Sequence, residues 1–346
     1  SSRFDAKTTS IPLLDASHIA MQVNLDSCIH CNLCVRACRE VQVNDVIGMS
    51  NRGADALITF DFNDPMGDST CVACGECVQA CPTGALMPAT TNDSAGFDRE
   101  VESVCPYCGV GCKLSFKIKD DKIAWVDGID GPANENRLCV KGRFGFDYID
   151  HPHRLTKPLI RRDDAPAKGL NVDPSNPLTH FREASWEEAM EFAANRLAKL
   201  RDTKGGKSIA GFGSAKCSNE EAYLFQKLIR AGFGHNNVDH CTRLCHASSV
   251  AALMENVGSA AVTATFNEIE NADCAIIIGA NSIENHPVAA TYFKQFTKRG
   301  GNMIVIDPRG VGLGRYANHR LKFKPGTDVA LINALMHVIV DEKLYD

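Results

Sequence analysis

Twelve of the chain's sixteen cysteines fall into three groups of four, spaced as metal-cluster ligands rather than as disulfide partners. Cys28, Cys31, Cys34 and Cys38 are separated by two, two and three residues, and Cys71, Cys74, Cys77 and Cys81 repeat those intervals, with Pro82 directly after. Three thiolates this close can hold three corners of a 4Fe-4S cube, and in such paired runs the fourth corner comes from the other run. One cube is therefore expected on Cys28, Cys31, Cys34 and Cys81, and a second on Cys71, Cys74, Cys77 and Cys38. A third group, Cys105, Cys108 and Cys112 followed after 26 residues by Cys139, is open to a zinc ribbon or to a further cluster. Redox-inert zinc at the end of a two-cluster relay would leave the electrons without a destination, which favours the cluster.

These groups need elements to position them. Residues 1–22 read as an extended arm. Residues 23–98 form an internal repeat, Asp26 to Glu40 and Ser69 to Gly84, which predicts a ferredoxin-like two-cluster domain. Between its halves, Val41 to Pro65 carries β-rich pieces such as Leu57-Ile58-Thr59-Phe60 and predicts a hairpin. The polar stretch Thr90 to Arg99 reads as a linker. Residues 99–156 form a small β-rich 4Fe-4S domain, with strands predicted over Lys113 to Ile118 and Lys122 to Val126. His151 to His180, rich in proline and charge, reads as a surface connection.

Residues 157–346 change to an α/β pattern. Ser185-Trp186-Glu187-Glu188 has the form of a capping box, and apolar residues at 186, 189, 190, 193, 197 and 200 mark one face of a helix. Ile209 to Gly213 reads as a short strand, Asn219 to Ala231 as a helix stopped by Gly232, and Ala275 to Gly279 as a buried strand. Val288 to Lys298 reads as a helix closed by Gly300-Gly301, Met303 to Asp307 as the next strand, and Leu321 to Lys324 as a further strand. A final helix is predicted from about Thr327 to Glu342. Strand, helix and strand in that order predict a Rossmann-like parallel α/β domain. The fold class is thus α+β followed by α/β.

Composition narrows the function further. A net charge of -5 over 346 residues leaves no basic surplus for a phosphate backbone, so nucleic acid is not an expected partner. The longest strongly apolar run, Val329 to Val340, is broken by Asn333 and His337 and is shorter than the roughly 20 residues of a bilayer span. The N-terminus offers only Ile11-Pro12-Leu13-Leu14 in place of a signal peptide's apolar region, so a cytoplasmic location is expected.

Cys105-Pro106-Tyr107-Cys108-Gly109-Val110-Gly111-Cys112, taken with Cys139-Val140-Lys141-Gly142-Arg143-Phe144, resembles the opening of the molybdopterin-guanine-dinucleotide oxidoreductases. The resemblance implies that Lys141 lies between cluster and pterin. It also likens the stretch from Ala272 to Pro287 to the family's dinucleotide-binding loop, with Asn281, Glu284 and His286 as contacts. Polar groups there stand at the carboxyl end of a parallel strand, where open α/β sheets bind ligands. Asp307 and Arg309 repeat the arrangement one strand later, Gly326 and Asp328 open a helix, and Gly213 ends the strand before Asn219. A nicotinamide site is a poor alternative, because no GxGxxG follows a strand.

Four cysteines remain. Cys217 and Cys274 read as buried small hydrophobes. In Val238 to Val250, VDHCTRLCHASSV, the thiols are Cys241 and Cys245 and the imidazoles His240 and His246. The resemblance selects Cys245, because formate dehydrogenases of this family carry cysteine or selenocysteine as the metal ligand with histidine next. It implies oxidation of formate to CO2, or the reverse, at molybdenum or tungsten held by two pterin guanine dinucleotides and Cys245, with electrons leaving through three 4Fe-4S clusters. His246 is the candidate for orienting substrate or taking up a proton, since imidazole titrates near neutral pH.

The implied partner is a flavin- and NAD-binding iron-sulfur subunit that accepts the electrons. The remaining half of the pterin-binding fold, or a second chain, is also expected, because relatives run to several times the length of the α/β portion. Two other readings are a non-catalytic iron-sulfur subunit of an NADH dehydrogenase-like complex and another pterin oxidoreductase such as nitrate reductase.

Overall fold

The computed structural model describes residues 14–89, 96–169, 173 and 175–346. The first 13 residues of the arm and most of the 90–99 linker lie outside the described residues.

The arm ends earlier than the sequence reading places it. β1 (Met21–Val23) pairs antiparallel with β4 (Leu86–Pro88), and Met21 has no exposed surface. Between them lie α1 (Leu33–Arg36), the predicted hairpin of β2 (Ile47–Ser50) and β3 (Leu57–Phe60), and α2 (Glu76–Ala80). Met21, Val23, Val46, Ile47, Ile58, Phe60, Met66 and Leu86 make the core, and the thiols of Cys34, Cys38 and Cys77 belong to it. Apolar burial and ligand placement are therefore one event in this region.

The next layer is an antiparallel sheet of β5 (Arg99–Val104), β6 (Lys113–Lys119) and β7 (Lys122–Gly128). β6 and β7 fall within a residue or two of their predicted spans and join through Asp120-Asp121, both at positive φ (50° and 58°), the geometry that matches hairpin twist. β5 was missed, because its sequence REVESV is exposed throughout and carries no apolar face. α3 (Val140–Phe144) follows directly from Cys139.

Residues 148–263 form a compact unit of their own. It contains the pair β8 (Leu159–Arg161) and β9 (Phe181–Glu183), the 19-residue helix α4 (Trp186–Lys204), β10 (Gly211–Phe212), α5 (Asn219–Lys227), β11 (Val238–Asp239), α6 (Thr242–Cys245) and α7 (Ala247–Val257). β10 and β11 are parallel. Only half of the box expected at α4 forms: Ser185 accepts from the Glu188 amide, but the Glu188 carboxylate pairs with Arg182 instead. A complete reciprocal box stands at α5, between Ser218 and Glu221. The apolar stripe of α4 is exposed, with Trp186 at 67% and Met190 at 63%.

The chain then returns to the unit of residues 1–147, to which 264–346 belong. β12 (Cys274–Ile278), β13 (Asn302–Ile306) and β14 (His319–Leu321) form a parallel sheet in that order. α8 (Ser282–Asn285) and α9 (Pro287–Lys298) connect the first two strands, and α10 (Asp328–Asp341) follows the third. β14 lies about one turn before its predicted position. β12 is not the buried strand expected: Cys274, Ile276 and Ile278 face an open side of the sheet. On the closed side Met303 and Val305 pack with Phe296 and Leu313, while Val288, Ala289 and Tyr292 of α9 enter the core around Cys105, Cys112 and Cys139.

Candidate cofactor sites

The two halves of the repeat build their thiol sets by the same backbone device. His30 and Asn32 in the first, and Ala73 and Gly75 in the second, are at positive φ (56°, 63°, 55° and 67°). These turns aim amides at sulfur: His30 N donates to Cys28 Sγ at 3.4 Å and Ala73 N to Cys71 Sγ at 3.3 Å. Left-handed backbone at His30 and Ala73 is costly for non-glycine residues and marks a site under functional demand.

Cys28, Cys31, Cys34 and Cys81 line one small cavity. Burial pushes the Cys34 thiol up to about 11, and the neighbouring thiols of Cys28, Cys81 and Cys31 add to the rise. Cys81 differs: burial raises it, but bonds from the Thr83, Leu86 and Ala85 backbone and the Thr83 hydroxyl hold it below the usual thiol range. In the second set, burial and then the thiols of Cys74, Cys71 and Cys38 push Cys77 far above its ordinary value. Fourth cysteines are thus exchanged between the runs as the spacing predicts. Thiols pressed together in this way favour the protonated form until a metal centre takes the charge, as coordination deprotonates a thiol outright. Among the described residues no group of three or more His, Cys, Asp or Glu is gathered around a single ion. The donors ring a space, and they fit an iron-sulfur cube.

The third set encloses a similar small cavity, lined by Cys105, Cys108, Cys112 and Cys139 and shared with Lys141, Asn285 and Pro287. Cys105 N bonds Cys112 O at 2.8 Å, closing the turn that carries three of the thiols. Burial, then the thiols of Cys105, Cys139 and Cys108, push Cys112 up to about 12. Lys141 is exposed at the cavity rim.

Two residues to which the sequence reading gives no role tie the second set to the third. Arg143, 3% exposed, donates to Cys74 O at 2.8 Å and stands 3.6 Å from Glu76 and 3.7 Å from Asp127. Gly75 leaves room for it, since a Cβ there would meet Arg143 Cδ at 2.1 Å. Gln42 donates to Glu76 Oε2 and to Leu138 O, both at 3.0 Å, bridging the turn after Cys38 to the residue before Cys139.

The predicted dinucleotide contacts gather along the carboxyl edge of the parallel sheet. Gly279, at φ 62°, turns the chain out of β12, and beyond it Asn281 Oδ1 and Ser282 Oγ are buried without a hydrogen-bond partner among the described residues. Glu284 and His286 are exposed beside them. At the end of β13, Asp307 is 6% exposed and accepts from Arg309 N at 2.7 Å, leaving the Arg309 guanidinium outward. Gly326 (φ 84°) and the exposed Asp328 follow β14. Buried polar atoms left without partners ask for a polar ligand, and these residues fit a pterin dinucleotide. Ser282, the first residue of α8, has no role in the sequence reading because a lone serine there carries no special signal.

In the 148–263 unit, Gly213 and His240 line a cavity of about 580 Å3 at the carboxyl ends of β10 and β11, together with Cys217 and Glu221. Cys245 ends α6, and His246 (φ -147°) breaks the chain before α7; Cys245 is exposed. His240 pairs with the Thr242 hydroxyl at 2.6 Å, and Arg243 stands 4.0 Å from Asp239. Cys217 and Cys274 are exposed, not buried as expected. Cys217 sits in the turn before α5 with its sulfur 2.9 Å from Ser214 O, and Cys274 points to the open side of β12.

Architecture and donor sets agree with what family comparison finds. Residues 154–346 match the molybdopterin oxidoreductase family, residues 98–151 the molybdopterin oxidoreductase Fe4S4 domain, and residues 27–85 the 4Fe-4S dicluster domain. The chain belongs to the molybdopterin oxidoreductase family, with iron-sulfur domains preceding the pterin domain.

Among individual relatives, it is 32% identical over 369 residues to "Probable oxidoreductase YjgC" of Bacillus subtilis, covering 94% of this chain and 36% of that protein. It is likewise 32% identical over 363 residues to a Staphylococcus haemolyticus protein named "Putative formate dehydrogenase", covering 93% and 35%. The chain therefore spans about a third of the length of the curated relatives it matches. The solved structure of acetylene hydratase from Pelobacter acetylenicus shares the fold, with a TM-score of 0.56 at 24% identity over 71% of this chain and 32% of that one.

Proposed function

We propose that this chain is the cluster-bearing and metal-anchoring part of a formate dehydrogenase. The observation that carries the reading is the pair Cys245-His246, an exposed thiol and an adjacent imidazole at a break between two helices. Relatives named as formate dehydrogenases at 32% identity support it. A bound molybdenum or tungsten bis(molybdopterin guanine dinucleotide) supplies two-electron redox chemistry at the substrate carbon.

This chain's own residues do the rest. Cys245 holds the metal through its thiolate, and His246 orients formate and takes up a proton at an imidazole nitrogen. Asn281, Ser282, Glu284, His286, Asp307, Arg309, Gly326, Asp328 and Gly213 bind the dinucleotides, and Lys141 spans from pterin to the third thiol set. Three 4Fe-4S clusters then lie on Cys105/Cys108/Cys112/Cys139, Cys38/Cys71/Cys74/Cys77 and Cys28/Cys31/Cys34/Cys81. Held on these thiols, the clusters would supply single-electron transfer to a partner subunit that binds flavin and NAD.

No helix among the described residues is long and apolar enough to cross a membrane. We read the enzyme as cytoplasmic.

Elemental analysis and EPR of the protein purified without oxygen test this reading. We expect molybdenum or tungsten near one per chain, iron near twelve as three four-iron clusters require, and cluster reduction on adding formate. Replacement Cys245→Ala should abolish that reduction while dithionite still reduces every cluster. Iron without molybdenum or tungsten would instead identify an electron-transfer subunit. A metal-replete protein whose clusters stay oxidised with formate would identify a different pterin oxidoreductase.

A further inference from the structure

Lys294 lies on the buried side of α9 with 5% of its surface exposed. Its ammonium donates to Gln42 O at 2.6 Å, Val43 O at 3.0 Å and Asn44 Oδ1 at 2.9 Å. Only the protonated form has three N–H donors for three acceptors, so the geometry describes a buried cation. All three partners are neutral oxygens, and a buried charge without a counter-ion is costly.

The groups whose negative charge acts on it are Cys74 and Cys38, once deprotonated, and the carboxylate of Asp45. Burial, with Arg315 adding to it, pulls the Lys294 pKa down to about 8, while Cys74, Cys38 and Asp45 work to raise it. Sulfur carrying charge in a metal cluster would strengthen that opposing pull.

The turn that Lys294 grips is the one that shapes Cys38. Asn44 N bonds Cys38 O at 2.9 Å, and Val46 N donates to Cys38 Sγ at 3.3 Å. Between them Val43, fully buried, is held at φ 53°, where a β-branched side chain clashes with its own backbone. Such a conformation persists only where surroundings impose it. Here α9 and Tyr316 do so: Lys294 takes the Val43 carbonyl, the Tyr316 hydroxyl reaches the same oxygen at 3.4 Å, Gln295 bonds Glu40 O at 2.8 Å, and Lys298 meets Asp45 at 3.2 Å. An element of the α/β region thus sets both the shape and the electrostatics of a cysteine more than 250 residues earlier.

We propose that Lys294 is a positioning residue for the second cluster: its buried ammonium holds the Cys38 turn and raises the reduction potential of the centre on Cys38, Cys71, Cys74 and Cys77. This rests on the reading of those four thiols as cluster ligands. A centre held on these four thiols would carry one more negative charge in its reduced form, between taking an electron from the third set and passing it to the first. A fixed positive charge favours the reduced form at that stage, and Lys294 itself neither gains nor loses a proton.

The test is an EPR-monitored redox titration of the intact protein with dithionite, with iron analysed in the same samples. Iron short of three clusters in the unaltered protein would refute the ligand reading rather than the role of Lys294. Given full iron, Lys294→Gln should lower one midpoint and leave the other two unchanged. The expected shift is about tenfold in the reduction equilibrium, which for a one-electron couple is about 59 mV. Lys294→Arg, which keeps the charge, should hold all three midpoints.

Unchanged midpoints in a fully loaded Lys294→Gln protein, or a fall with arginine as large as with glutamine, would overturn the proposal. Should the glutamine variant lose iron, Lys294→Arg and Asp45→Asn decide the matter. An unchanged midpoint with arginine and a raised one with asparagine support the electrostatic role, and a fall with arginine or no change with asparagine refutes it.

Discussion

In the cysteine-bearing unit Met21, Leu138, Tyr292, Met303 and Leu313 have no exposed surface, whereas in residues 148–263 the buried hydrophobics among the described residues are Ile160, Ala184 and Ile229. The first unit closes three apolar clusters, two of them around its thiols. The second is held by local means: a Ser185 cap, the Ser218–Glu221 box and two short strand pairs, with Trp186, Met190, Tyr223 and Leu244 left at the surface. The contrast shows where each unit's stability resides. Ligand cages and the core that surrounds them are inseparable in one unit, while helices in the other depend on capping and propensity, contributions of about 1 kcal/mol apiece.

The strongest test of this contrast is iron removal. Chelation under reducing conditions should abolish the cooperative unfolding of the cysteine-bearing unit and leave α4 and α5 helical, as residue-resolved hydrogen exchange would report. Protection persisting at Leu114 and Val126 without iron would show that the cores stand without the clusters.

Arg143→Ala comes next. It strips Glu76 of its buried partner and removes the bond to Cys74 O, so a loss of about 3–5 kcal/mol is expected in urea unfolding. A loss below about 1 kcal/mol, the scale of an exposed pair, would mean that Glu76 finds other compensation.

Truncating one leucine in each unit compares them directly. Leu138→Ala, at a site with no exposure, should cost about 2–5 kcal/mol. Leu244→Ala, at 96% exposure, should stay within about 0.5 kcal/mol. Equal losses would show that Leu244 is covered in solution.

The smallest effect concerns Asp15. Burial raises its carboxyl, but bonds from Met66 N at 2.7 Å and from Ser17 outweigh it and hold the group below its usual 3.8. A carboxylate depressed in the folded state stabilises above its unfolded value and loses that contribution as the pH falls through the folded one. The melting temperatures of the native protein and Asp15→Asn should therefore differ at pH 6 and converge below 3.8. A constant difference would assign the effect to something other than ionisation.

Much of the site was legible in the chain because its determinants are short-range. Ligand spacing is a property of eleven residues at a time in each ferredoxin run, and the exchanged fourth cysteine follows from the duplicated interval. The hairpin at Asp120-Asp121 and the strands around Asp307 were likewise readable from period and turn chemistry. The miscalls concern burial. β12 has the composition of a buried strand yet faces outward on alternate residues, and Cys217 and Cys274 were judged by residue type alone. β5 was overlooked because an exposed edge strand needs no apolar face.

The cysteine intervals, the capping serines and the strand-helix-strand order were settled by residue type within a few positions, since hydrogen bonds and ligand geometry act at that range. Tertiary structure alone decided that Lys294 would be a buried cation beside Cys38 and Cys74, that Val43 would be left-handed, and that Arg143 would reach Cys74. A lysine amid the apolar positions of α9 was the only trace of the first. Burial and electrostatic field depend on which distant segments arrive beside a residue, and only the folded chain brings residue 294 to residue 42.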